Sequence, residues 1–234
     1  MKIMSFNTQH CLNFLTQKID YPKMAETIKE FSPDIVGLNE MRDTLSVPEY
    51  DRQTEILASL SGYEYHAFAK AIEISSPEPY SYGNGFLSRY KIVSKETFPI
   101  ELTPEKRTKV YYEPRVLMKL RLENGYTVLV THFGLSRAEH IEAVRVILRH
   151  IEPEKCILMG DFNIEPDNPL LEPIKAKMSD TSRGFCENKL SFPSDNPRIK
   201  IDYIFVSPDI EIVNADIPEI IASDHRPHIA EINL

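Results

Sequence analysis

Residues 156–163 read Cys156-Ile157-Leu158-Met159-Gly160-Asp161-Phe162-Asn163. The first four form a short apolar run, suited to a buried strand. Gly160 breaks the run, and two side chains bearing oxygen follow at i and i+2. Asp161 and Asn163 can therefore face one point just past the strand end, where open α/β sheets commonly place polar chemistry. A plain Asx turn capping a helix would give the same local pattern. Repetition shifts the balance, because several other apolar runs in this chain also finish on a polar residue.

Upstream, Ser136 to Ile151 is the clearest helix: Ser136 and Glu139 make a capping box, and Ile141, Val144, Leu148 and Ile151 make one apolar stripe. His140 and His150 fall on it as surface residues. Before it, Tyr111–Leu122 and Tyr126–His132 read as a hairpin about Asn124-Gly125. Its second strand is apolar and ends on His132.

Further back lie a strand over Lys91–Phe98 and a charged loop over Thr103–Lys109. Gly83 to Arg89 reads as a turn feeding a buried strand. Residues 63–68 make another strand, and Ala69 to Tyr82 reads as a long connection. Arg52 to Ser61 is a helix with Ile56, Leu57 and Leu60 inward, ended by Gly62. Asp34 to Glu40 is a strand with Glu40 at its end, followed by a loop over Met41–Pro48. Pro22 opens a helix that packs Met24, Ile28 and Phe31 and stops at Ser32-Pro33. The chain begins with a strand, Lys2 to Phe6, that ends at Asn7.

Downstream, Thr181 to Arg198 is irregular, with Arg183, Lys189, Arg198 and Lys200 near one another in sequence. Such a basic loop can meet a phosphate or simply lie in water. Lys200 to Val206 is a strand with Asp202 set into an apolar run, and a charge there is costly unless a His or a metal pairs it. Strands over Ile210–Ile217 and His228–Ile232 flank Asp224-His225.

Composition limits the choices. The 234 residues are 42% hydrophobic and 26% charged, enough for a sizeable core. The expectation is one domain over 1–234. A formal net charge of -8 argues against affinity built on a broad basic surface. Cys11, Cys156 and Cys186 lack CxxC spacing and make neither a disulfide framework nor a zinc site. No signal segment is legible and no run approaches the ~20 apolar residues of a spanning helix, so a cytoplasmic protein is expected.

The polar strand ends are Asn7, Glu40, His132, Asp161, Asn163, Asp202, Asp224 and His225. An oxygen-rich set without thiols suits Mg²⁺ or Mn²⁺. Two histidines among carboxylates suit acid–base work near neutral pH. Together they are what hydrolysis of a phosphoester asks for.

In order, Ser5-Phe6-Asn7, Pro33 to Glu40, Gly83 to Arg89, Thr131-His132-Phe133, Gly160 to Asn163, Ile201 to Ile204 and Ser223 to Pro227 make the chain resemble the endonuclease/exonuclease/phosphatase superfamily. That superfamily includes pancreatic-type deoxyribonuclease, abasic-site endonucleases, neutral sphingomyelinases and inositol polyphosphate 5-phosphatases. The resemblance implies a four-layer α/β/β/α sandwich with two packed mixed sheets. It implies Glu40 as the main Mg²⁺ ligand, with Asn7 and Asp224 nearby or in a second metal position. It implies that Asp202 orients His225, which acts as general base or binds the scissile phosphate. Asp161 and Asn163 would position water and the phosphoryl group.

His132 falls where the abasic-site enzymes carry Tyr and the other branches carry His as a phosphate ligand or acid. Arg115 is a further phosphate candidate, although pairing with Glu113 would explain it equally. Asn39 replaces the usual Gln before Glu40, a change expected to affect packing only. His10 is expected at the surface, with the site's rim as the alternative. The expected function is a Mg²⁺-dependent phosphoesterase acting on a small or lipid-derived phosphoester. A DNA endonuclease or exonuclease is the alternative, and a non-catalytic binding module the remote one. Oligomeric state is not legible.

Overall fold

A computed structural model describes residues 1–43, 52–74, 80–103 and 112–233. Its strands in chain order are β1 Lys2–Asn7, β2 Leu12–Asn13, β3 Lys18–Ile19, β4 Ile35–Asp43, β5 Tyr65–Ile74, β6 Tyr80–Ser88 and β7 Ile92–Ile100, followed by β8 Arg115–Leu122, β9 Thr127–His132, β10 Cys156–Asp161, β11 Ser179–Asp180, β12 Asp202–Val206, β13 Ile212–Asp216 and β14 His228–Ile232. The helices are α1 Tyr21–Phe31, α2 Gln53–Ser61, α3 Arg137–Leu148 and α4 Glu172–Lys175.

Two six-stranded sheets carry the fold, in the orders β13-β14-β1-β4-β6-β5 and β11-β12-β10-β9-β8-β7. Each is mixed, with one parallel pair at its centre, β1 with β4 and β10 with β9. The inner faces bury against each other: Ile3, Ile35 and Phe86 of one sheet meet Met118, Val130 and Ile157 of the other. On one outer face α1 and α2 bring Met24, Ile28 and Leu57 onto Met4 and Val36. On the other, α3 and α4 bring Ala143, Ile147 and Ile174 onto Leu129 and Leu158. Each such Val, Leu, Ile, Phe or Met side chain contributes about 1.5–3 kcal/mol when fully buried. The result is the four-layer α/β/β/α sandwich expected from the sequence.

The local signals explain the helices. Asp20 accepts from the Lys23 amide to cap α1, and Ser32 ends that helix in a left-handed conformation. Ser136 and Glu139 close the capping box at the start of α3.

Several expectations need correction. Leu60 is exposed; α2 instead turns Thr54, Leu57 and Ala58 inward. His140 is buried in α3, with its Nε2 2.9 Å from the Gly134 carbonyl oxygen. The long connection over residues 69–82 is mostly the paired strands β5 and β6, and Gly83 to Gly85 lies within β6. Periodicity missed this because both strands run on through glycine and polar residues. The loop over Met41–Pro48 starts later than expected, since β4 continues to Asp43. Its remainder, Pro77, Pro79, Tyr111 and the excursion over Thr103–Lys109 except Thr103 lie outside the described residues.

The four basic residues between 183 and 200 do not all share one surface. Lys189 pairs with Asp216, Arg198 lies in water, and Lys200 is buried. His10 is half-buried.

Register decides where the polar ends meet. Asp161 is paired with His132 on one side and with Asp202 on the other, and Asn7 is paired with Asn39. The two central parallel pairs thus finish at the same edge of the sandwich. Gly160 permits this closeness: a Cβ there would lie 1.8 Å from the Thr131 carbonyl oxygen, at a φ of +147°.

Candidate active site

Asn7 joins the two sheets. Its Nδ2 donates to Glu40 Oε1 at 3.1 Å and to Asp161 Oδ2 at 3.0 Å, while its Oδ1 accepts from the Gln9 amide at 3.0 Å. Glu40 has a φ of +62° at a break in the β4–β6 register. A non-glycine residue held there is strained, a feature that clusters at functional sites. The kink takes Glu40 out of the ladder even though the strand resumes beyond it.

Asp161 uses its two oxygens differently. Oδ1 accepts from the Asn163 amide at 2.9 Å, so the Asx turn is present. Oδ2 faces Asn7 at 3.0 Å, His132 Nε2 at 3.5 Å and His225 Nε2 at 3.6 Å. The turn caps no helix, since the next helical residues begin only at Pro169. Asn163 takes a left-handed φ of +49°, which Asn tolerates, and its Nδ2 lies 3.3 Å from His132 Nε2.

His225 Nδ1 is 2.8 Å from Asp202 Oδ2. Asp202 is fully buried, and its Oδ1 has no hydrogen-bond partner. Phe192 packs on the His225 ring with centroids 4.7 Å apart. Asp224 takes a hydrogen bond from Ser223 Oγ at 3.0 Å.

Arg115 is also buried. It pairs with Glu113, and its Nη1 is 3.2 Å from His132 Nδ1. The Tyr82 ring centroid lies 5.9 Å from its Cζ. An arginine can only donate, so His132 Nδ1 accepts and the proton of a neutral His132 sits on Nε2, which makes the 3.3 Å approach of Asn163 Nδ2, also a donor, a contact and not a hydrogen bond. His132 Nε2 lies 3.5 Å from Asp161 Oδ2.

Electrostatics separate the two histidines. Burial, reinforced by Arg115 and His225, pushes His132 well below the usual histidine range. Burial opposes charge on His225 too, but Asp202 and Asp161 outweigh it and raise the ring to about 10. Burial raises Asp161 to about 7, against the pull of His225. Burial likewise raises Glu40 and Asp224, with Asp224 adding to the effect on Glu40.

These carboxylates provide the test for a divalent cation. Glu40 and Asp224 are half-buried carboxylates, with Asp224 disfavouring charge on Glu40, and the Asn7 amide oxygen, which takes the Gln9 amide, keeps one lone pair. The donor set is hard and lacks thiolate, as Mg²⁺ or Mn²⁺ requires. Donor atoms of Asp161, Asp202 and His225 also lie within 4.8 Å of one another, but that trio already spends the Asp202–His225 contact internally. Glu40 and Asp224 form no ion pair with a cationic side chain among the described residues, which leaves both carboxylates able to take a cation.

Asn39 was expected to affect packing only, and it does more. Its Nδ2 donates to Asn84 Oδ1 at 2.9 Å and to the Thr131 carbonyl at 2.8 Å, and its Oδ1 accepts from the Asp161 amide at 2.9 Å. It thus pins the end of β10 to the other sheet. Asn84 extends the link to the Val116 carbonyl at 3.0 Å. The available signal was an amide inside an apolar run, next to Glu40. Tyr82 was missed as well, because it fell in the supposed connection. Asn39→Leu strands the Asp161 amide and the Thr131 carbonyl and is expected to cost roughly 3 kcal/mol, read as a lower urea midpoint. An unchanged midpoint would contradict this role.

The raised Asp161 carboxyl gives a second expectation. Its folded value of about 7 exceeds the unfolded value of ~3.9, so protonation favours the fold. That contribution is complete below the unfolded value and is lost as pH rises through the folded one. His132 and His228 are shifted down and act with the opposite sign, so the comparison has to be made with a variant. In chelator, Asp161→Asn should gain stability relative to the wild type as pH rises from ~4 to ~7. Parallel stability curves for the two proteins would refute it.

Comparison with solved structures places the fold. A protein from Beutenbergia cavernae, described as an endonuclease/exonuclease/phosphatase, superposes with a TM-score of 0.79 at 22% identity, over 100% of this chain and 71% of that one. A Bacteroides thetaiotaomicron mannosyl-6-phosphatase gives 0.74 at 16% identity, with 100% of both chains covered. The human Nocturnin catalytic domain with bound sulfate gives 0.67 at 18% identity, over 100% of this chain and 94% of that one. No curated protein matches the chain by sequence. The model of the Endonuclease/Exonuclease/phosphatase family matches residues 4–225. With a match over nearly its whole length, the chain belongs to the endonuclease/exonuclease/phosphatase family.

Proposed function

We propose that the protein is a Mg²⁺-dependent phosphoesterase that cleaves its substrate by direct attack of water. The observation that carries this is the convergence of Asp161, His132, His225 and Asn7 on one point between the sheets, with Asp202 behind His225. Glu40 and Asp224, with Asn7, would hold the cation. Bound there, it would supply positive charge to the phosphoryl oxygens and favour ionisation of water.

The chain's own residues divide the remaining work. Asp161 has a carboxyl near neutrality and is the group placed to take a proton from water. Asn163 would orient the phosphoryl group beside it. His225, held charged by Asp202, would stabilise negative charge on that group. Between the two roles open from the sequence, this favours phosphate binding over general base. His132 keeps its Nε2 proton for a phosphate oxygen or the leaving group, and Arg115 fixes that tautomer from behind. One domain over 1–234 is part of the same reading.

The substrate is a small or lipid-derived phosphoester. A net charge of -8 and scattered surface cations do not suit duplex DNA. The likeness to a mannosyl-6-phosphatase supports the same choice. The test compares supercoiled plasmid, an abasic duplex, an aryl phosphodiester, and inositol and sugar phosphates, each with Mg²⁺ and with chelator. Turnover of a small ester with intact plasmid is the expected result. Plasmid nicking that needs both Mg²⁺ and His225 would make the protein a nuclease. Mg²⁺ binding without turnover of any ester would make it a binding module.

A further inference from the structure

A concavity lies on the flank of the second sheet. It is a cleft of about 510 Å³ beside β11, and none of the proposed catalytic or metal residues lines it. Pockets of that size hold small organic molecules. Pro166, Met178 and Ile212 give its wall apolar surface.

Three cations line it, Lys175, Arg183 and Lys200, and the side chains of the last two make no hydrogen bond among the described residues. Lys200 is 1% exposed, and its Nζ makes no hydrogen bond. The ammonium lies 3.5 Å from the centroid of the Tyr203 ring and 3.7 Å from Asp180 Oδ2, beyond hydrogen-bond reach of the latter. Leaving a buried ammonium without an acceptor costs free energy. The Arg183 side chain has no hydrogen bond or ion pair among the described residues.

The acidic groups in the same wall are better satisfied. Asp180 Oδ1 accepts from the Ser182 amide at 2.9 Å and its hydroxyl at 2.8 Å, and Glu187 accepts from the Gly184 amide at 3.4 Å. Lys175 is satisfied too, by the Pro166 carbonyl at 2.5 Å and Glu172 at 3.1 Å. The three cations of the cleft outnumber its two carboxylates.

We propose that this cleft binds a small organic anion, whose phosphate or carboxylate group accepts from Lys200 and Arg183 while its body lies on Pro166, Met178 and Ile212. The cleft is tied to the catalytic elements. Tyr203 Oη donates to the Ile164 carbonyl at 2.8 Å and lies 3.3 Å from the Lys200 carbonyl. Those carbonyls are one residue from Asn163 and two from Asp202.

The test is thermal unfolding in chelator, where no Mg²⁺-dependent turnover runs, with inorganic phosphate, glucose 6-phosphate or succinate as the probe. At a concentration near 100 times Kd, a ligand of the folded state should raise Tm by roughly 5 °C. The rise should persist in His132→Ala and disappear in Arg183→Ala and Lys200→Met. Arg183 is exposed, so its variant keeps the test valid if the buried Lys200→Met fails to fold. Dependence on one probe alone would separate phosphate, phosphate ester and carboxylate as the preferred anion within the proposal. A rise kept in Arg183→Ala, a rise lost only in His132→Ala, or no rise with any probe would overturn it. The first two would place the anion elsewhere, the second in the catalytic cleft.

Discussion

Replacing His225 with alanine is expected to lower phosphoester turnover by about 10²–10⁴-fold, the range typical for a positioned acid–base or charge-stabilising group. The same change should weaken the fold. Asp202 is fully buried, Oδ2 has His225 as its cationic partner, and Oδ1 has no hydrogen bond. Breaking a buried ion pair from one side typically costs 3–5 kcal/mol, because a charge is left uncompensated. The double variant His225→Ala/Asp202→Asn removes that charge. It should recover much of the stability and none of the rate. This separates lost chemistry from lost structure. Turnover at the wild-type level in both variants would contradict the role given to His225.

The second large effect is expected at Glu40. Saturating Mg²⁺, at about 100 times its Kd, should stabilise the wild-type protein by about 2.7 kcal/mol through binding the folded state alone. Glu40→Gln should lose most of this stabilisation, and with it turnover. The cation-free variant should be no less stable than the wild type, because Glu40 is a carboxylate that burial already disfavours. Two measurements check this: thermal midpoints with and without Mg²⁺, and initial rates. A variant that keeps its full Mg²⁺ shift would place the cation elsewhere, with the Asp161, Asp202 and His225 atoms as the next place to look.

Much of the architecture was legible because its signals are local. The Asn124-Gly125 turn, the Ser136/Glu139 box and the apolar run before Gly160 each act over a few residues. The observed β8–β9 hairpin, α3 and β10 follow from them. The polar strand ends were legible for the same reason, since each interrupts an apolar pattern.

What could not be read was anything set by pairing across the chain. Strands β5 and β6 satisfy their backbone against each other and so extend through Ala69–Ile74 and Tyr80–Tyr82, where periodicity is weak. Leu60 is an apolar residue left outside because α2 buries Thr54 and Ala58 instead. The role of Asn39 depends on Asn84, Thr131 and Asp161, which are 45, 92 and 122 residues away. Which Asp161 oxygen faces the site, and which nitrogen of His132 carries the proton, follow only from the assembled hydrogen bonds. The same holds for Lys200, read as the first residue of a strand beside a basic loop, which the fold buries on Tyr203.

The most direct test of the central claim is a rate. Purified wild-type protein would be assayed on an aryl phosphodiester and on a sugar phosphate, first in chelator and then after Mg²⁺ is restored, with His225→Ala in parallel. The account predicts no turnover in chelator, turnover of at least one ester when Mg²⁺ returns, and loss of that turnover in the variant. Hydrolysis that is indifferent to chelator, or equal in wild type and His225→Ala, would contradict it.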